Sequence, residues 1–204
     1  MELLRFTNGM FDSNAYIVHE NNKGVLIDAG VPKDRILKEV WDKNIDIDDI
    51  ILTHEHIDHV YYVDELKLAL KAKVSIHTSA ANAFYRSSLN GSALFGMPKD
   101  FEEADNVIIE NDDIMLLDNK LKIIHTPGHS IGSICIYVNG YLFSGDTIFR
   151  MSVGRTDLTG GSMSQLEYSI KNKIFRLPDD TEILPGHGPK TTVEYEKRNN
   201  PFIG

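Results

Sequence analysis

Thr53-His54-Glu55-His56-Ile57-Asp58-His59 packs three imidazoles and two carboxylates into seven residues. Before it, Asp49-Ile50-Ile51-Leu52 is a short apolar run of the kind a buried strand uses. After it, residues 60–72 carry Val63, Leu66 and Leu70 at helical spacing. The cluster therefore lies where a strand gives way to a helix. Side chains leaving a tight turn can converge on one point, whereas the same residues along a strand would alternate between its two faces. Such a turn can hold a metal ion.

Three distant segments share the design, an apolar run entering a glycine turn that presents one ligand. They are Thr126-Pro127-Gly128-His129-Ser130, Phe143-Ser144-Gly145-Asp146-Thr147 and Leu184-Pro185-Gly186-His187-Gly188. A glycine beside each ligand fits a backbone that must turn sharply or approach something bulky. A lone histidine after Pro-Gly is more often a loop residue than a ligand, but four such turns in one chain point to a metal centre. Five of the eight histidines fall in these turns. His19, His77 and His125 stand at strand ends and read as structural, with His125, close to His129, the one placed to hydrogen-bond a ligand.

The rest of the chain supplies strands and helices around these turns. Residues 3–6, 15–19 and 25–28 read as strands, with Asn21-Asn22-Lys23-Gly24 turning between the last two. A helix over residues 33–43 starts after Pro32 and aligns Ile36, Leu37, Val40 and Trp41, so Trp41 is expected in the core. Residues 73–77 read as a strand and 80–88 as a helix. The long loop 89–105, with Leu94, Phe95, Met97 and Phe101, either tucks onto the body or walls a pocket. In the second half, residues 114–117, 122–125, 133–138, 141–144 and 181–184 read as strands. Val138-Asn139-Gly140-Tyr141 is a hairpin signal, and residues 164–176 form a helix bearing Leu166, Ile170 and Ile174. With no linker between the halves, one layered α/β domain over residues 1–204 is expected.

A chain of 204 residues buries a core without staples. Thirty acidic against 21 basic side chains, a formal charge of −9, disfavour a nucleic-acid groove, because phosphate binding draws on clustered Lys and Arg. The single cysteine, Cys135, sits in the strand interior Ser133-Ile134-Cys135-Ile136-Tyr137, so a buried thiol and no internal disulfide are expected. No apolar run approaches the roughly 20 residues that cross a bilayer, and Met1-Glu2-Leu3-Leu4-Arg5 lacks the pattern of a signal peptide. A cytoplasmic protein is expected.

His54-x-His56-x-Asp58-His59, followed in order by His129, Asp146 and His187, resembles the metallo-β-lactamase superfamily, and within it the short, single-domain glyoxalase II-like (hydroxyacylglutathione hydrolase-like) branch. Ile27-Asp28-Ala29-Gly30, Gly154-Arg155-Thr156-Asp157 and Asn200-Pro201-Phe202 extend the likeness over nearly the whole chain. The resemblance implies a four-layer αββα sandwich with its site at one edge, and a binuclear metal-dependent hydrolase. By the same likeness His54, His56 and His129 hold one ion, Asp58, His59 and His187 the other, and Asp146 bridges. Zinc is the expected metal, and the nitrogen and oxygen donors also suit iron or manganese. Two ions roughly 3.5 to 4 Å apart share a water and lower its pKa. The implied reaction is attack of that hydroxide on a thioester carbonyl, with Asp58 orienting it as well as binding metal. The implied partner is a small-molecule thioester, S-lactoylglutathione being the type; neither nucleic acid nor membrane is expected.

Outside these seven residues, Thr53 and Asp28 either hydrogen-bond ligand imidazoles or cap local turns. Glu55 is expected to face solvent or a neighbouring backbone. Arg155 is a candidate to grip a substrate carboxylate, against the competing reading of a salt bridge to Asp157. Tyr61-Tyr62 stand where many relatives have a glycine pair, which makes Tyr62 a candidate substrate-binding residue. Longer members carry a C-terminal helical domain that makes much of the glutathione site. This chain ends about where the catalytic sandwich is complete, so a need for glutathione stays open. Other chemistries fit the same residues. A sulfur dioxygenase would use one iron on His54, His129 and Asp146. A β-lactamase or lactonase would share the hydrolysis but not the thioester. A non-catalytic metal-binding module is disfavoured by the full set of seven ligands.

Overall fold

Strands β1 (Glu2–Phe6), β2 (Ala15–Glu20) and β3 (Lys23–Ile27) form an antiparallel meander. Its second turn places Asn21 at φ 54°, a left-handed conformation that asparagine tolerates. Helix α1 (Lys33–Asp42) crosses to β4 (Asp46–Ile51), which runs parallel to β3. Helices α2 (Ile57–Val60) and α3 (Val63–Leu70) lead to β5 (Lys73–His77), and α4 (Thr78–Phe84) with the following loop leads to β6 (Asn106–Ile108). These six strands make one sheet in chain order. The computed structural model describes residues 1–203.

The second sheet begins as another meander: β7 (Asp113–Leu116), β8 (Asn119–His125), β9 (Ile134–Val138) and β10 (Tyr141–Gly145). Asn139 and Gly140 turn the β9–β10 hairpin at φ 46° and 83°, the double left-handed turn that matches strand twist. A small hairpin, β11 (Ile148–Phe149) with β12 (Ser152–Val153), precedes α5 (Met163–Asn172). Helix α5 returns the chain to β13 (Glu182–Pro185), parallel to β10, and β14 (Thr191–Thr192) and α6 (Val193–Asn199) follow. The sheet order is β14-β13-β10-β9-β8-β7.

Strand alternation sorts the side chains into layers. From the first sheet, Tyr16, Val18, Val25 and Ile27 meet Ile123, Ile136, Phe143 and Leu184 of the second in a central core. The opposite face of the first sheet, with Ile17, Leu26 and Ile50, packs on Ile36, Leu37 and Val40 of α1 and Val63 and Leu66 of α3. Cys135, Leu142 and Ile183 on the outer face of the second sheet pack on Leu166 and Ile170 of α5. Helix, sheet, sheet, helix is the four-layer αββα sandwich. Burial pushes the Cys135 thiol up to about 11, which makes it an inert core group. Among the described residues no helix is long and apolar enough to cross a membrane.

Several expectations are corrected. Trp41 is 66% exposed, not core. At 100° per residue it lies about 90° from the centre of the Ile36-Leu37-Val40 stripe that packs on the sheet. The helix expected over residues 60–72 is two helices, α2 and α3, separated at Tyr61-Tyr62, where Tyr62 leaves helical geometry (φ −102°, ψ 13°). The helix expected to reach residue 176 ends at Asn172, and Lys173 (φ −119°, ψ −56°) starts a separate 3₁₀ turn, Ile174–Arg176.

Candidate metal centre

Four turns that follow strand C-termini carry the seven expected ligands. The turn after β4 and helix α2 bring His54, His56, Asp58 and His59 from the first sheet. The turns after β8, β10 and β13 bring His129, Asp146 and His187 from the second. Because β8, β10 and β13 run in the same direction, their ends open at one edge of the sandwich.

There the side chains form overlapping groups. His54, His56 and His129 have ligand atoms within 4.8 Å of one another, as do Asp58, His59 and His187, and also His54, His59 and Asp146. His56 Nδ1 is 2.8 Å and His54 Nε2 3.2 Å from His129 Nε2. His187 Nε2 stands 3.3 Å from His59 Nε2 and 3.1 Å from Asp58 Oδ2. Asp146 lies between, with Oδ1 3.2 Å from His59 Nε2 and Oδ2 3.6 Å from both His129 and His187. Nitrogens on one zinc at 2.0–2.1 Å in tetrahedral geometry would be about 3.3 Å apart, so these spacings fit donors sharing a cation. Among the described residues, buried Asp146 Oδ1 makes no hydrogen bond despite its nearness to His59, the relation of two ligands rather than of donor and acceptor. The residues present fit a divalent metal pair.

Outer hydrogen bonds decide which nitrogen of each ring faces the centre. The Asp28 carboxylate accepts from Thr53 N (2.8 Å), Thr53 Oγ1 (2.9 Å) and His59 Nδ1 (2.8 Å). Thr53 Oγ1 in turn lies 3.1 Å from His54 Nδ1, and the Arg155 carbonyl accepts from His129 Nδ1 at 2.7 Å. Held at Nδ1, His54, His59 and His129 direct Nε2 inward, where a bound cation would take the place of a proton. Thr53 and Asp28 thus bond ligand imidazoles. Asp28 sits at φ 62°, and two residues on, a Cβ on Gly30 would meet Asp58 O at 1.7 Å. Ser13 Oγ also donates to Asp58 O, at 2.8 Å.

Charge is divided within the cluster. Burial, with the neighbouring imidazoles of His59, His129 and His56, drives His54 well below its usual range; burial and His129 bring His56 to about 3. Burial also opposes charge on His59, but Asp146, Asp58 and Asp28 outweigh it and hold that ring well above the usual range. The reciprocal holds for Asp146, where burial is outweighed chiefly by His59 and His129. It holds too for Asp58, where burial is outweighed by His59 and His187.

Glu55 corrects another expectation. It is buried, its Oε2 accepts from Ser130 Oγ at 2.8 Å, and burial raises its pKa. The bond ties the first ligand turn to the one carrying His129. The Arg155 guanidinium makes two bonds to Asp157, at 2.7 and 2.8 Å, the competing reading. It still borders a cavity of about 240 Å³, together with Phe11, Phe95 and Leu158, around five of the seven metal-centre side chains. Tyr62 is not among the cavity's lining; it packs on the core beneath α1 and α3. His125 does not reach His129: it stacks on His77 at 4.0 Å and bonds the Ile131 carbonyl. Among the described residues, buried His19 makes no hydrogen bond, and its Nε2 lies 3.8 Å from Glu2 Oε2. Phe11, Leu158 and Ser13 carried no signal in the sequence, whereas Phe95 lies in the loop left open as a pocket wall.

The chain matches the Metallo-beta-lactamase superfamily over residues 8–187. It is 34% identical to the probable metallo-hydrolase YqgX of Bacillus subtilis (strain 168), over all of this chain and 98% of that protein. It is 30% identical to the hydroxyacylglutathione hydrolase GloC of Haemophilus influenzae, over 95% and 93% of the two. The solved structure of BLEG-1 B3 metallo-beta-lactamase is similar at a TM-score of 0.95 and 34% identity, covering 99% of each chain. TTHA1623 in a di-iron-bound form gives 0.86 and 34%, covering 98% of this chain and 99% of that one. Site geometry, fold and these likenesses agree: the chain belongs to the metallo-β-lactamase superfamily and is a metallo-hydrolase with a metal-binding site.

Proposed function

We propose that the chain hydrolyses thioesters in the manner of a hydroxyacylglutathione hydrolase, with His54, His56 and His129 on one ion, Asp58, His59 and His187 on a second, and Asp146 between. The observation that carries the reading is the pair of three-donor groups joined by Asp146 under an open cavity. The likeness to GloC supports the thioester, and the di-iron form of TTHA1623 supports iron beside zinc as the metal. When bound, such ions supply a water acidified towards neutrality and an electrophile for the carbonyl oxygen.

The chain's own groups do the rest. Asp58 borders the cavity, where its carboxylate is placed to accept a hydrogen bond from the attacking water and orient it. Asp28 and the Arg155 carbonyl hold His59 and His129 in the required tautomers. Glu55 and Ser130 keep the two ligand turns in register.

The test is hydrolysis of S-lactoylglutathione, a simple acyl thioester and a β-lactam by metal-quantified protein. The β-lactam arm is included because BLEG-1 is 34% identical to this chain, against 30% for GloC. Thioester turnover that depends on metal is expected. Fewer than about one metal per chain, with no activity regained on adding zinc, iron or manganese, would sink the proposal. So would a preference for the β-lactam.

A further inference from the structure

Two aromatic rings from separate loops meet at the mouth of the cavity. Phe11, in the turn Met10–Asp12, and Phe95, in the loop after α4, lie with centroids 5.1 Å apart at 56°. Both border the cavity, and they are 51% and 41% exposed. Phe11 and Asp12 are both left-handed, at φ 50° and 62°, a conformation costly for a bulky side chain. The turn is held there by hydrogen bonds from Gly9 N to Ser13 O and from Met10 N to Gly30 O.

The loop that carries Phe95 is tied to the body on both sides of that residue. The Asn90 amide donates to the carbonyls of Phe84 and Lys99, and the Asn90 carbonyl accepts from Ile57 N at the start of α2. Lys99 donates to the Tyr61 carbonyl and places its ammonium 4.3 Å over the Tyr61 ring. Tyr61, the departure from the glycine pair, therefore anchors the Phe95 loop to the helix that carries Asp58 and His59. Arg155 is the one cation bordering the cavity among the described residues, and Asp157 engages it through two bonds. A cavity of about 240 Å³ falls below the roughly 300–1,000 Å³ that enclose a drug-sized ligand, so it houses a short group and not a tripeptide as well.

We infer that Phe11 and Phe95 clamp the acyl group of the substrate, and that the substrates are thioesters of short apolar acids whose thiol portion lies outside the cavity. The inference rests on the thioesterase reading. Its test compares kcat/KM for acetyl, butanoyl and lactoyl thioesters of one small thiol. In parallel, a non-hydrolysable butyl thioether is titrated calorimetrically into wild type, Phe11→Ala, Phe95→Ala and Phe95→Leu. Butanoyl is expected to exceed acetyl and lactoyl by roughly tenfold in wild type and in Phe95→Leu. That ratio should fall towards one in both alanine variants, with thioether affinity about tenfold weaker. A wild-type ratio near one, or a ratio that survives both alanine variants, overturns the clamp and leaves the thioesterase reading standing. Thioether binding that weakens in Phe95→Ala without cleavage of any thioester upholds the apolar site and removes the thioesterase reading. Neither binding nor cleavage removes both.

Discussion

Replacing Asp28 by Asn keeps the shape of a buried side chain and changes what its two ends can accept. Oδ1 receives the Thr53 amide, while Oδ2 receives both the Thr53 hydroxyl and His59 Nδ1. An asparagine offers one oxygen and one NH₂. Turned one way, the NH₂ confronts the Thr53 N–H, leaving two buried donors unpaired at about 1–3 kcal/mol each. Turned the other way, it confronts His59 Nδ1, and the imidazole moves its proton to Nε2, the atom 3.3 Å from His187 Nε2 that must ligate. Loss of such an orienting carboxylate weakens metal binding by about 10–100-fold, or about 1.4–2.7 kcal/mol. The site of Asp58, His59 and His187 takes the larger share. That of His54, reached only through Thr53, takes less. Competition against a chromophoric chelator should resolve two equivalents in wild type and show one of them weakened in Asp28→Asn. Two equivalents bound with wild-type affinity would refute the assignment of tautomers.

Four further outcomes are expected. Gly30→Ala drives a methyl against Asp58 O, at 1.7 Å, and should destabilise by roughly 1–3 kcal/mol in urea unfolding while lowering metal content. Glu55→Gln should retain metal content because it can still accept from Ser130, whereas Glu55→Ala should lose part of it, measured by elemental analysis. Burial raises Asp49 from 3.8 to about 6, only partly offset by Ser75, so the native state binds its proton more tightly than the unfolded chain. Stability therefore falls by about 2 kcal/mol as pH rises from 4 to 6, and Asp49→Asn should remove that slope in paired urea melts. Chelation should lower the melting temperature and added zinc should restore it, by about 4 kcal/mol at a free metal concentration near 1,000 times Kd.

The metal centre was legible because its chemistry restricts residue type and its turns need glycine, so each ligand carried a local signature. The sandwich was legible wherever strands were long enough to alternate. Strands of two or three residues, β6, β11, β12 and β14, have too few positions to show a period, and neither they nor α6 was expected. Trp41 misled because it is apolar yet lies about 90° from the centre of the buried stripe, at the margin where residue type alone does not decide burial. Glu55 misled because charge argued for solvent while its partner, Ser130, lies 75 residues away. Phe11 was hidden for a related reason: only a pair of left-handed residues brings its ring to the cavity, and neither Phe nor Asp announces that conformation.

Because the candidate ligands come from both sheets, ions bound as proposed would also clasp the two halves of the chain together. His59 emerges during synthesis 128 residues before His187, so a growing chain has the first ligand turn long before the last. The early turn by itself offers donors from one sheet only. Tight capture waits for the slow, non-local meeting of the halves. With the proposed ligand set, tight metal loading would therefore follow that meeting and not precede it.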